Sequence, residues 1–421
     1  MKMYDVAIIG AGPSGSWLAS RLAERGHQVV VLEQKKGWGE PICCTGIVSQ
    51  ECVEHYAIED SVIFRRANSA RVFSPSGKLL RLWRPEPQAC ILDRPALNLS
   101  LARRAQEKGA EYRLNTPVRG IEVEDNAVSI KTGDGEGQVE AVKARAAVIA
   151  TGFGSKLVEG LGLGKFGDAV AGAQAEVATN GVDEVEVYLG QQIAPAFFAW
   201  LVPTLPQRAI VGLLSRRRPG FYLKNLISSL KAQGKITSVE TGLSYGGIPL
   251  RPPARSYSDR VVVVGTAAGQ VKPTTGGGVY YGLLCADIAA DNLGQALKND
   301  ALSARNLANY EKEWRERLGW ELRIGYWARK FYERLSDGQV DRIFDIIKNN
   351  GIDEALLKSD DLTFDSHGKA VLKLIGYKAL SRIVEIVKLP FPGRSDTSRK
   401  FDSFEEAAEK NERRKQESGP G

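Results

Sequence analysis

Runs of apolar residues at 6–9 and 29–32 flank a stretch, 14–25, whose Trp17, Leu18 and Leu22 recur at helical spacing. Gly26 stops that helix, so residues 4–33 predict a strand–helix–strand unit with both strands buried. Residues 92–108 repeat the helical period through Leu97, Leu101 and Ala105 up to Gly109. Runs at 118–124, 127–132 and 139–150 follow, parted by Asp125-Asn126 and by residues 134–137, the pattern of a β-meander. Residues 51–90 and 166–255 have another texture. Their short alternating runs at 70–73, 79–83, 184–189 and 208–214 are separated by Pro and Gly, which predicts a mostly antiparallel sheet. Residues 259–265 return to a buried strand, a Gly-rich turn leads into a helix over 278–297, and everything after 301 reads as helical.

The predicted fold is α/β. A Rossmann-like dinucleotide-binding domain is assembled from residues 1–50, 91–165 and 256–300, with a substrate-binding antiparallel sheet from 51–90 and 166–255 inserted into it. A helical region spans 301–395, and the polar stretch 396–421 is expected to be disordered.

Composition narrows the function classes. The chain's 57 basic and 50 acidic residues leave +7, too slight a bias for a dedicated nucleic-acid binder. Its five cysteines (Cys43, Cys44, Cys52, Cys90, Cys285) cannot form a disulfide framework in 421 residues. With no Cys-x-x-Cys and only His27, His55 and His367, neither a zinc site nor a cysteine-ligated cluster is expected. The chain opens directly into its first strand, without a charged-then-apolar leader, and no apolar run reaches the ~18 residues that span a bilayer. A cytoplasmic protein is expected.

Gly10-Ala11-Gly12-Pro13-Ser14-Gly15 fits G-x-G-x-x-G, after an apolar strand and at the opening of a helix. Glu33 ends the next strand 18 residues after Gly15, placed to accept hydrogen bonds from a ribose, with Gln34 beside it. Gly10 allows the tight turn, Gly12 lets backbone N–H groups approach a pyrophosphate, and Gly15 lets helix and strand pack closely. By itself this motif does not separate NAD from FAD. A second glycine cluster, Gly276-Gly277-Gly278, opens the helix near 278. Each glycine inside a helix would cost about 1 kcal/mol relative to Ala, which makes sense where bare backbone must touch a flat ring.

Further motifs carry a resemblance. Ala150-Thr151-Gly152 resembles the strand-end element of two-dinucleotide-fold flavoproteins, and Asp259–Gly269 resembles their second flavin signature, with Gly265, Thr266 and Gly269 at its turn. Thr266 stands where such proteins usually carry an acid on the ribityl chain. Asp93-Arg94 resembles the element of hydroxybenzoate-hydroxylase-like proteins whose Arg, here Arg94, approaches the flavin. Gly269-Gln270-Val271-Lys272-Pro273-Thr274-Thr275-Gly276-Gly277-Gly278 followed by Tyr280-Tyr281-Gly282 resembles the flavin-proximal signature of the geranylgeranyl reductase family. Residues 195–203 resemble that family's substrate motif PxxYxWxFP: Pro195, Trp200 and Pro203 match, while Phe198 and Val202 depart from it. Read alone, the stretch is also a buried strand with a core Trp. Glu40–Gly46, containing Cys43-Cys44, lies where the family has a cysteine–glycine motif near the flavin.

The resemblance implies FAD as cofactor, reduced flavin as hydride donor to a prenyl C=C bond, and a proton donor for the other carbon. Cys44, Tyr280, Tyr281 or an ordered water stand as candidates for that proton. No second nucleotide fingerprint occurs, so NAD(P)H would bind transiently or a ferredoxin, a transient protein partner, would supply electrons. A flavin-dependent monooxygenase or halogenase on the same fold is the competing reading, since Phe198-x-Trp200-x-Val202-Pro203 partly echoes a halogenase motif.

Bringing a prenyl chain of about twenty carbons into water would cost up to ~16 kcal/mol at ~0.8 kcal/mol per CH₂, so peripheral contact with a membrane is expected. Residues 367–400 carry eight Lys/Arg against two acids, and Ile375, Ala379, Leu380, Ile383, Val384, Ile386 and Val387 share one helical face there. That pattern fits either a membrane-surface helix or a helix packed on the core.

Overall fold

The protein is described from a computed structural model covering residues 2–38, 40, 42–133, 139–357 and 364–365. The basic segment 367–400, the tail 396–421 and the whole turn 134–137 therefore lie outside the described residues. No described helix is long and apolar enough to cross a membrane.

Valine-rich strands buried on both faces build a parallel sheet. Its order is Glu111–Arg113, Val29–Leu32, Met3–Ile9, Val139–Ile149, Val261–Val263, closed by the antiparallel Tyr257–Ser258. Helices Pro13–Glu24 and Val279–Lys298 pack on one face, where Leu18, Leu22, Ile288 and Leu293 share a core with Tyr310 and Trp314 of the helix Ala304–Tyr332. The other face is covered by the meander of Val118–Val123, Val128–Gly133 and the first half of Val139–Ile149, through Val128, Ile130 and Val142. The 139–149 strand thus serves two layers.

A second sheet runs Ile236–Val239, Ala169–Thr179, Arg208–Ser215, Phe198–Pro203, Val185–Leu189, Ser69–Phe73, Leu79–Trp83, with Ser244–Pro249 also paired to Ala169–Thr179. It is antiparallel except between 185–189 and 69–73. Residues 51–90 divide between two sheets. Ile63–Ala67 and Ala89–Leu92 join Ile47–Ser49 in a small three-stranded sheet, whereas 69–73 and 79–83 join the large one. The short-strand reading of 166–255 overlooked the helix Pro219–Ala232. Its Leu223, Leu226, Ile227 and Leu230 cover one face of the large sheet, packed on Ala175, Ala199, Leu201 and Leu213. The signal was present as an i, i+3, i+4, i+7 series behind a Pro at the first helical turn.

After 301 the described chain is helical at Ala304–Tyr332, Asp337–Asn349 and Ile352–Leu357, the second opened by a Ser336–Gln339 capping box. The far end of the 304–332 helix is pinned to the large sheet by charges. Asp168 pairs with Arg216 and with Lys330 at 3.2 Å and accepts from Tyr326 at 3.1 Å, while Arg216 reaches Glu333 at 2.5 Å. Burial would raise the Asp168 carboxyl, but hydrogen bonds from Arg216 and Lys330 outweigh it and hold the group down at about 2. A depressed carboxyl stabilises the fold above its unfolded value of roughly 3.9, and that contribution fades as pH falls through the folded one. Thermal melts should therefore show Asp168→Asn less stable than the natural protein at neutral pH, with the difference closing near pH 2. A gap that persists unchanged into acid would contradict this account of the pin.

Candidate functional site

The first glycine turn is shaped by close contacts on two sides and left open on the third. Gly10 has φ +105°, and a Cβ there would stand 2.6 Å from the Ala150 carbonyl oxygen. A Cβ on Gly15 would collide with the Gly10 carbonyl, so the helix Pro13–Glu24 can sit on its strand only through glycine. Gly12, by contrast, has nothing within 4 Å of where its Cβ would be. Gly12 is also the residue before the helix, and no side chain caps it. The uncapped first-turn N–H groups and the helix dipole make this an anion cradle. The Glu33 carboxylate braces the turn, accepting from the backbone N–H of Ala11 at 2.8 Å and of Lys35 at 2.9 Å. Gln34 is exposed beyond it.

The strand ends at Ala150 and Val264 bring two more turns to the same place. Ser14 lies between Gly265 and Gly282, neither of which could carry a Cβ without striking its hydroxyl. Gly265 takes φ +69°, and its N–H donates to the buried Gln270 at 2.7 Å. Gln270 donates to Tyr310, which donates to the Val263 carbonyl, so a buried chain fixes the turn. Gly269, at φ +71°, packs on Pro252. Thr266 reaches the glycine triplet: a Cβ on Gly278 would lie 3.4 Å from its hydroxyl. Gly152 has φ +74° and open space around it.

Beneath the triplet, Lys272 and Asp365 form an ion pair at 2.6 Å with 6% of each side chain exposed. Lys272 also donates to the Phe364 carbonyl at 3.0 Å, and its backbone holds the turn through Lys272 N to Gly277 O and Gly276 N to Lys272 O. Tyr281 is 3% exposed and donates to the Asp365 carbonyl at 2.9 Å, whereas Tyr280 donates to Glu51 at 3.1 Å. Burial pushes both phenols above their ordinary range. No described contact joins either tyrosine to Cys44.

The apolar side of the site is one face of the large sheet. Register puts Gly172 between Leu214 and Gly246, and Trp200 opposite Gly212. The Trp200 indole lies across Gly212, where a Cβ would come within 2.6 Å of it. Phe198 meets Trp200 edge-on at 5.9 Å, and both pack with Leu214, Leu250 and Ile248; Pro203 ends the strand, buried. A Cβ on Gly246 would stand 3.2 Å from the Cys43 sulfur, and Cys43 donates to the Ser244 carbonyl at 3.7 Å. Burial pushes the Cys43 thiol up, which keeps it protonated. Gln174, on the same face, holds the Cys43-Cys44 loop by donating to the Ile42 carbonyl at 3.1 Å. From the back, buried Arg329 stacks 3.6 Å from the Phe197 ring centroid, its guanidinium lowered by burial to about 10.

One contact joins the two sides. Gly276 takes φ +78°, and a Cβ there would stand 2.9 Å from Ile248 Cδ1 and 3.1 Å from Leu214 Cδ1. The glycine turn therefore meets the apolar crevice directly. Sequence reading held Gln270 and Lys272 within the glycine-rich signature without their bracing roles, and missed Asp365, Gln174 and the small residues Gly172, Gly212 and Gly246. Isolated glycines within strands were the available signal for the last three.

The residues present fit an extended dinucleotide. Gly12 leaves an open cradle, and three buried polar atoms beside the turns, Arg94 Nε and Nη1 and Thr151 Oγ1, have no hydrogen-bond partner among the described residues. Arg94 is buried, its aliphatic stem packed on Gly46 of the cysteine loop. A phosphate-bearing cofactor with a polar ring edge would satisfy such donors.

Comparison with known proteins agrees with this geometry. A family model described as lycopene cyclase protein matches residues 5–324. Digeranylgeranylglycerophospholipid reductase 2 of Methanopyrus kandleri is 31% identical over 401 residues, 91% of this chain and 98% of that protein. A geranylgeranyl bacteriochlorophyll reductase-like protein from Thermoplasma acidophilum superposes with TM-score 0.81 at 25% identity, covering 92% of this chain and 99% of that one. A halogenase variant in complex with FAD superposes with TM-score 0.65 at 14% identity, covering 100% and 93%, a likeness of fold alone.

Proposed function

The chain belongs to the geranylgeranyl reductase family of FAD-dependent oxidoreductases, and on that premise we propose that it saturates the prenyl double bonds of a digeranylgeranyl glycerophospholipid at the crevice beside Gly276. The observation that carries this reading is the contact of the glycine turn with Leu214 and Ile248, which sets a backbone suited to a flat ring against an apolar wall. FAD, when bound, supplies hydride chemistry that no side chain offers. Gly10, Gly12, Pro13, Ser14, Gly15 and Glu33 would hold its adenosine diphosphate half. Arg94, Ala150, Thr151, Gly152, Gly265, Thr266, Gly269 and Gly276–Gly278 would hold the flavin half.

The chain's own part is to position and to exclude water. Phe198, Trp200 and Leu214 bury the prenyl chain and hold its double bond in a dry environment, where a reacting geometry need not be reached by diffusion. Pro203 fixes the end of their strand. The proton comes from the Cys43-Cys44 loop, through Cys44 or a water ordered beside it, since Tyr280 and Tyr281 already donate to Glu51 and to the Asp365 carbonyl. Electrons come from NAD(P)H or a ferredoxin-like protein bound transiently.

Mass analysis of lipid incubated with the protein and a reductant tests the reading. Each saturated bond adds two hydrogens, and Cys44→Ala should stall that gain. An added oxygen would identify a monooxygenase instead, and an isomer of unchanged mass would identify a cyclase.

A further inference from the structure

Three of the five exposed aromatic side chains among the described residues gather at one edge of the large sheet; the other two, Trp83 and Trp327, stand elsewhere. Tyr245 is 61% exposed, Phe221 46% and Phe153 40%. The three are contiguous. The Tyr245 hydroxyl overlies Gly220, next to Phe221, and the Phe153 ring overlies Gly247, two residues from Tyr245; a Cβ on either glycine would collide with the ring above it. Phe153 stacks on Phe166 at 5.8 Å, and Arg218 sits 4.6 Å from the centroid of Phe221. Among the described residues, Ser244–Pro249 pairs with a strand on one side only, so the patch lies on a sheet edge.

Exposed cations cluster beside the rings. Arg217, Arg218 and Lys224 are exposed and form no ion pair among the described residues. Asp168 beside them is engaged by Arg216 and Lys330, while Glu176 and Glu240 are the exposed acids farther along the edge. Protruding rings interleaved with unpaired arginines suit the headgroup level of an anionic bilayer, where the rings enter the acyl boundary and the cations meet phosphate. A soluble acidic partner would need the charges but would gain little from rings left standing in water.

The crevice opens at the same edge. Tyr245 and Gly247 face the side of the strand toward the helix Pro219–Ala232, whereas the exposed Gly246 and the half-buried Ile248 face the other side, against Cys43 and Gly276. The patch and the crevice therefore lie on opposite faces, about 10 Å apart along one edge strand. We propose that this edge, centred on Phe221, Tyr245 and Arg217-Arg218, docks on an anionic lipid bilayer and is the side from which the prenyl chain passes into the crevice. The direction of passage rests on the reductase reading; the docking does not.

Co-sedimentation of the full chain with phosphatidylcholine vesicles, with and without phosphatidylglycerol, tests it. The natural protein should pellet with the anionic vesicles at low salt. Phe221→Ser/Tyr245→Ser should weaken that binding at least about tenfold, and Arg217→Glu/Arg218→Glu should abolish its dependence on anionic lipid. Both variants should keep the natural melting temperature and flavin content, and should act normally on substrate dispersed in detergent.

Binding by either variant equal to the natural protein's would overturn the proposal, because it would place the contact elsewhere, for example in residues 367–400. Unimpaired vesicle binding together with slower reduction by an acidic electron-donor protein would overturn it in favour of donor docking. Vesicle binding that behaves as expected, with no lipid product from any substrate, would instead sink the reductase reading and leave the docking intact.

Discussion

Gly12→Val should fold as well as the natural protein and fail to hold FAD. Gly12 has φ −70° and ψ 178°, a conformation any residue adopts, and nothing lies within 4 Å of its missing Cβ. The protein itself has no objection to a side chain there; only a ligand seated on the helix terminus would. Losing two charge-assisted contacts to a pyrophosphate, each worth roughly 1.5–3 kcal/mol, should weaken FAD affinity by about a hundredfold or more. Gly15→Val is the contrasting case, because its Cβ would strike the Gly10 carbonyl and the fold itself should suffer. Thermal melts and flavin-fluorescence titration separate the two outcomes. Natural FAD affinity in a folded Gly12→Val protein would move the pyrophosphate to another turn.

The second large effect is expected at the buried ion pair. The Lys272 and Asp365 side chains are 6% exposed each, and Asp365 Oδ2 has no partner among the described residues. Removing one charge strands the other in a low-dielectric setting, which typically costs about 3–5 kcal/mol. Lys272→Met should therefore lower the urea midpoint sharply, and Asp365→Leu likewise. The double variant should recover most of the loss, since an apolar pair of similar volume removes the stranded charge. Because Lys272 also cradles Gly277, the single variant should lose flavin along with stability. Additive losses in the double variant would show that the pair is not coupled.

These two sites differ in how far the sequence announces them. Gly12 is legible because its reason is local: a strand, a tight turn and a helix terminus within six residues. The same holds for the positive φ of Gly10 and Gly265, and for Phe198 and Trp200, whose spacing of two already puts them on one face. Lys272–Asp365 is different, because its partners lie 93 residues apart and only the fold brings them together. The glycine floor of Gly172, Gly212 and Gly246 draws one residue from each of three strands, so it exists only in the register of the sheet. The cysteine pair shows the limit most clearly. Sequence placed the loop but did not reveal that Cys43 is the one seated against Gly246.

The central claim is that a flavin on the glycine turn shares a crevice with a prenyl chain. Anaerobic mixing tests it most directly: the purified yellow protein is reduced, a digeranylgeranyl lipid is added without oxygen, and flavin absorbance is followed. The account predicts that the oxidised spectrum returns in step with saturated lipid product. A flavin that stays reduced in the presence of every prenyl lipid tried, or a protein that takes up no flavin at all, would contradict it.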